Sequence, residues 1–215
     1  MIGDLLQTKL YLPQVQPSLV PRPRLLEKLE AGLDGRLTLV SAPAGFGKTT
    51  LIAEWANGRT VDRVCWLSLD ESDDDLARFL TYLVAAITSS GGPREDVGVR
   101  GDMPLLDQDL IAHYTNARPP DVKTLLMILI NEIAAVPERF ILVLDDYQDI
   151  FLMAIHEALA FLLDHMPPNM HLVICTRVDP LLPLPRLRGR GQVVEIRQRD
   201  LQFSAVEAAQ FLQQA

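Results

Sequence analysis

A chain of 215 residues with 48% hydrophobic content is long enough to bury one sizeable core and fits a single α/β domain with a small appendage. Its formal net charge of −8 lacks the basic footprint that direct, nonspecific DNA binding needs. No apolar run is long enough to span a bilayer, and Met1 to Leu5 lack a charged-then-apolar signal pattern, so the expectation is a soluble, cytoplasmic chain with no membrane partner. Cys65 and Cys175 each sit in an apolar run and read as reduced core residues.

Residues 1–20 contain Pro13 and Pro17 and read as an extended lead-in rather than a helix. Beyond Pro21, Leu25, Leu26, Leu29 and Leu33 recur at helical spacing, and Pro23 suits a first-turn position. Spacing alone favours a plain packing helix here; a helix folding back over a nucleotide base is the alternative.

The next stretch organises the chain. Leu37 to Val40 is a short apolar run that reads as a buried strand, and Leu51 to Ala56 has helical spacing. Between them lies Ser41-Ala42-Pro43-Ala44-Gly45-Phe46-Gly47-Lys48-Thr49-Thr50. Strand, glycine-bearing loop, Gly-Lys-Thr and helix is the setting of a phosphate-binding loop. A polyphosphate needs many donors at close range. Gly45 and Gly47 let the backbone curl so that the N–H groups of Ala44 to Thr50 point inward, and the helix that begins near Lys48 adds its positive dipole end. Lys48 brings a point charge to the terminal phosphates, and the Thr49 hydroxyl suits Mg²⁺. The usual pattern opens with Gly where this chain has Ala42, so the loop requires that position to stay at negative φ.

Arg63 to Leu69 reads as a second strand, followed by the acidic run Asp70-Glu71-Ser72-Asp73-Asp74-Asp75. The glycine and spacing of a calcium loop are missing, so the run is better read as a helix start, with Ser72 or Asp73 as cap. Leu76, Phe79, Leu80, Leu83, Val84 and Ile87 form the apolar face of that helix. Residues 89–120 are irregular, with room for one short helix over 105–114. Asp121 reads as the cap of an amphipathic helix over 122–135.

Phe140 to Leu144 is a strand buried on both faces, ended by Asp145 and Asp146. Strand C-termini line the crevice of a parallel α/β sheet. Asp145 is placed to hold Mg²⁺, and Asp146 to orient or deprotonate an attacking water; two solvated turn aspartates are the plain alternative. Ile155, Leu159, Leu162 and Leu163 mark a further helix. His113, His156, His165 and His171 lack metal-ligand spacing and read as surface or cap residues. Leu172 to Thr176 is the fourth strand, ending at Arg177, which either senses a terminal phosphate or pairs with Asp179. Arg186, Arg188 and Arg190 read as a solvated face, Val193 to Ile196 as a fifth strand, and Ser204 as the cap of a last helix. The fold class expected is α/β, a P-loop NTPase of three layers with a mainly parallel five-stranded sheet: the NTPase domain over 21–200 and the start of a helical linker over 201–215.

In combination, Val20-Pro21-Arg22-Pro23-Arg24, the loop, Trp66-Leu67-Ser68-Leu69-Asp70-Glu71, Leu142-Val143-Leu144-Asp145-Asp146-Tyr147 and Thr176-Arg177 resemble the nucleotide-binding domain of the MalT-like, large LuxR-type regulators, a branch of the STAND ATPases. The resemblance covers nearly the whole chain, and Ala42 is at home in it. It implies ATP or ADP with Mg²⁺, slow hydrolysis, self-association governed by nucleotide and an inducer, Arg177 as nucleotide sensor, and Arg22 near the nucleotide. Full members of that family continue with winged-helix, helical-repeat and DNA-binding domains not contained in this sequence, so DNA contact is expected only through those. The rival expectations are a nucleotide-binding module without turnover and a small-molecule kinase.

Overall fold

Five short apolar runs become the strands of one sheet: β1 (Leu37–Ser41), β2 (Arg63–Ser68), β3 (Phe140–Asp145), β4 (Met170–Thr176) and β5 (Val193–Arg197). A computed structural model describes residues 5–15, 20–88 and 122–214. The strand order is β2-β3-β4-β1-β5, and every neighbouring pair is parallel. All of β1, β3 and β4 is buried, as the continuous apolar runs imply.

The period-two alternation of these strands divides the core. Leu39, Leu142, Leu144, Leu172 and Ile174 face α3 (Leu76–Thr88), α4 (Val122–Ala134), α5 (Met153–His165) and the short α6 (Leu184–Gly189). Val40, Trp66, Ile141, Val143 and Val173 face α1 (Pro23–Gly32) and α2 (Lys48–Asn57) on the other side. The result is the expected three-layer α/β/α arrangement. The parallel register aligns the strand ends: Ser41 sits opposite both Thr176 and Arg197, and Ser68 opposite Asp145. Chemistry-bearing residues thus gather at one edge. Among the described residues no helix is long and apolar enough to cross a membrane.

Several local expectations change. The lead-in is not wholly extended, because Gln7–Leu10 forms a 3-10 turn that buries Lys9. The Lys9 Nζ lies 2.6 Å from both Asp70 and Asp73, 5.0 Å from the centre of the Tyr82 ring. Asp73 is fully buried and also accepts from Arg78, so neither it nor Ser72 caps α3; Asp75 does, accepting from the Arg78 N–H. Two histidines are core groups rather than surface ones. His156 bonds the Tyr147 hydroxyl at 2.7 Å, and His171 bonds Thr38 Oγ1 at 2.9 Å, with burial pushing the His171 pKa down to about 4. His165 remains exposed, and His113, the helix expected over 105–114 and the Asp121 cap lie outside the described residues.

The last helix, α8 (Ala205–Gln214), begins as expected at Ser204, whose hydroxyl accepts from the Glu207 N–H while Glu207 accepts from the Ser204 N–H. The same Glu207 takes a two-pronged contact from Arg24, which holds its carboxyl down at about 2.

Two outcomes follow from these clamps. Replacing Lys9 by Met strands the buried Asp73 with a single cation and is expected to cost about 3 kcal/mol in urea denaturation, whereas Lys9→Arg costs less. The Glu207 carboxylate has a lower pKa folded than unfolded, so its stabilisation is present above the ordinary carboxylate range and declines as pH falls from about 4.5 towards 2. Glu207→Gln is therefore expected to flatten the urea midpoint against pH over that window; superimposable profiles of the two proteins would contradict it.

Candidate functional site

The loop between β1 and α2 has the backbone its glycines foretell. Gly45 and Gly47 lie at φ 81° and 74°, in the left-handed region that side chains disfavour. A Cβ at either position would meet nothing within 4 Å, so conformation rather than crowding requires glycine there. Ala42 is not at positive φ; it is buried, and its N–H donates to the Thr176 carbonyl at 3.2 Å, extending the β1–β4 ladder. The alanine therefore fits a position that needs no glycine. Ala44 and Thr50 are exposed, and Phe46 is partly buried against the core beneath α1 and α2. Lys48 folds back over the loop, its Nζ donating to the Pro43 carbonyl at 3.2 Å. An ammonium has three donors, so two remain for a ligand.

The acids of β3 meet the loop. Thr49 Oγ1 donates to Asp145 Oδ2 at 2.8 Å, across 96 residues of sequence. Asp145 is buried; its other oxygen, Oδ1, meets no donor in hydrogen-bond geometry, although the Cys175 thiol and the Asp146 N–H approach the carboxylate. Burial raises the Asp145 pKa; the Thr49 hydroxyl opposes this, and the neighbouring Asp146 charge adds to it. Burial and the Asp145 charge together push the Cys175 thiol well up, so Cys175 is an inert core group. A buried carboxylate with one unused oxygen and a threonine hydroxyl beside it is the donor set of a hard divalent cation. A cation would also offset the cost of keeping that charge out of water.

Asp146 is the one non-glycine residue at positive φ among those described (φ 56°, ψ 39°). Aspartate tolerates this region better than most residues, and strain of this kind concentrates at functional sites. The left-handed turn leaves Asp145 buried and Asp146 half-exposed, with Asp146 Oδ1 accepting from Gln148 Nε2 at 3.1 Å. Beneath them, the buried Tyr147–His156 pair anchors the turn.

The other two expected residues separate. Arg177 is exposed at the end of β4 and lines a cleft of about 520 Å³ together with Ser41, Ala42 and Pro43. It does not pair with Asp179, which Arg197 holds through two contacts, one of 3.0 Å. Arg22 is buried at the start of α1: it donates to the Leu201 carbonyl at 2.6 Å and stands 5.1 Å over the Phe203 ring, with its Nε lacking a hydrogen bond but 3.9 Å from Glu207. Sequence reasoning missed Arg197, Gln198 and Arg199, which complete the cleft. The signal for them was available, since β5 ends at the same edge as β1 and β4 and its last residue faces the same crevice.

No family model matches the chain. It is 38% identical over 207 residues to the HTH-type transcriptional regulator MalT of Cronobacter sakazakii, covering 96% of this chain and 21% of that protein. With MalT of Yersinia pestis it shares 40% over 209 residues, covering 97% and 22%. The chain thus spans about a fifth of the length of the regulators it matches. Among solved structures, a STAND protein with a tetratricopeptide-repeat sensor from Pyrococcus horikoshii aligns with a TM-score of 0.53 at 15% identity, over 91% of this chain and 25% of that one. Cdc6p from Pyrobaculum aerophilum gives 0.51 at 19% identity, over 87% and 46%. At such identities the likeness speaks for the fold. Over nearly its whole length, then, the chain is similar to one part of the MalT-type transcriptional regulators, and its fold is that of the STAND and Cdc6p structures.

Proposed function

We propose that this chain is a Mg·ATP- and ADP-binding switch domain of a MalT-type regulator, acting in the cytoplasm, with slow hydrolysis. Its nucleotide state governs self-association, and other parts of such a regulator contact DNA. Residues 21–200 form the switch and 201–215 begin the connection to what it controls. The observation that carries the reading is the 2.8 Å bond from Thr49 to Asp145, with the unpartnered Asp145 Oδ1 beside it. It joins the two halves of a Mg·triphosphate site that lie far apart in sequence.

Each residue has a distinct task in this reading. The loop amides from Ala44 to Thr50 hold the phosphates. Lys48 neutralises their terminal charge, and Thr49 and Asp145 hold Mg²⁺, which when bound withdraws charge from the phosphate oxygens. Asp146 accepts a proton from, or orients, the attacking water, and Arg177 detects the terminal phosphate. Arg22 supports the site from α1, through its link to residues 200–202.

One contact supports the rival reading of a binding module without turnover. The Gln148 amide already occupies Asp146 Oδ1, so only one oxygen is open to a water. Single-turnover phosphate release separates the two, and counting free phosphate against a phosphorylated acceptor tests the kinase alternative in the same experiment.

Lys48→Ala is expected to weaken Mg·ATP binding roughly thirtyfold in calorimetry, the scale of a charged hydrogen bond. Unchanged affinity would end the nucleotide reading. Asp146→Asn is expected to keep the affinity within about twofold and slow phosphate release roughly a hundredfold; an undiminished rate removes Asp146 as the base.

A further inference from the structure

The cleft beside the loop holds three arginines with unequal commitments. Arg197 is held by Asp179 and Glu195, through contacts that include 3.0 and 2.8 Å. Arg188 shares both acids, at 3.7 and 2.7 Å, so two cations and two carboxylates balance each other. The guanidiniums of Arg177 and Arg199 lie outside this network, and among the described residues neither has a hydrogen-bond or ion-pair partner. Two uncompensated cations therefore converge on one concave space in a chain whose net charge is −8. Surface arginines on an acidic protein readily find carboxylates; these two line a cleft instead.

The cleft borders the loop at Ala42 and Pro43. Pro43 lines it, and the Pro43 carbonyl accepts from Lys48 Nζ at 3.2 Å. The cleft thus borders the residue that the Lys48 head contacts, and in the nucleotide reading that head marks the terminal-phosphate end of the loop. The cleft's two free guanidiniums suit an anion.

Resting on the nucleotide reading above, we propose that Arg199, at the start of α7 (Gln198–Leu201), is a second cation for the terminal phosphate of a nucleoside triphosphate, acting with Arg177 from across the cleft. Asp179 is its internal counterweight, because it occupies the guanidinium of Arg197 within the cleft. Arg199 separates triphosphate from diphosphate, since a diphosphate ends short of the cleft. Arg197 joins only when Asp179 lets go. Asp179 is two residues from Arg177, so the same loop carries one cation into the cleft and restrains another.

Calorimetry on the whole chain with Mg²⁺ and either a non-hydrolysable ATP analogue or ADP tests this. Arg199→Ala is expected to weaken the analogue roughly tenfold and ADP less than about twofold, with Arg199→Lys recovering part of the loss. Arg199 is exposed and without partners, so its removal leaves the fold intact, as an unchanged melting temperature will report. Asp179→Asn is expected to act in the opposite direction, tightening the analogue roughly threefold by releasing Arg197. Equal affinities of wild type and Arg199→Ala for the analogue, or equal losses for both nucleotides, overturn the assignment while the nucleotide reading stands. Weaker analogue binding by Asp179→Asn overturns the counterweight. A wild-type chain that binds neither nucleotide overturns the underlying reading, and Arg199 falls with it.

Discussion

A single hydrogen bond, from Thr49 Oγ1 to Asp145 Oδ2, ties the first turn of α2 to the end of β3. β3 and β1 are not neighbours in the sheet, because β4 lies between them. The loop after β1 and the acid after β3 can meet only if α2 starts over the sheet edge and leans towards β4. The positive φ at Gly45 and Gly47 turns the chain to do so. The bond is modest in net energy, about 1 kcal/mol for a typical case. Its weight lies in what would happen without it: a buried carboxylate with both oxygens unpartnered is a far costlier arrangement.

The register explains why that edge collects so many functional groups. In a parallel sheet every strand ends on the same side, and here Ser41, Thr176 and Arg197 are aligned across three adjacent strands. Ser68 and Asp145 are aligned across the other two. The opposite edge carries structural bonds instead, such as His171 to Thr38 and to the Gly35 carbonyl. Burial keeps His171 neutral through the physiological range, which suits a fixed structural link rather than a switch.

The strands and the loop could be read directly from the amino-acid order because both are local patterns. Leu37 to Val40 and Phe140 to Leu144 are apolar on both faces and bounded by polar residues, and the glycines at 45 and 47 announce a backbone that few other residues adopt. Asp145 and Asp146 were legible from their position at the end of a buried run. What escaped was pairing at long range. Nothing near Lys9 indicates that Asp73, 64 residues away, will bury it. Asp73 looked like a cap because caps are local, whereas its partner depends on how the N-terminal turn lies on β2 and α3. Arg199 escaped for a similar reason, since only the closing of β5 against β1 brings it beside Pro43.

The attachment of α8 shows how charge rather than burial can set the firmness of an element. Its Val206, Phe211 and Leu212 are 68%, 51% and 76% exposed, so the helix gains little from apolar contact with the body. A fully buried side chain of this kind would contribute about 1.5–3 kcal/mol; these contribute a fraction of that. Glu207 supplies the hold instead, through Arg24 and, at 3.9 Å, Arg22. Arg22 begins α1, which packs on α2, and α2 is the helix that Thr49 fastens to the acid of β3. The weakly packed α8 is therefore held by charge to the start of α1, which packs on the helix that carries Lys48 and Thr49. Glu207 thus reaches α2 through Arg22 and the packed α1 rather than through apolar burial of its own helix.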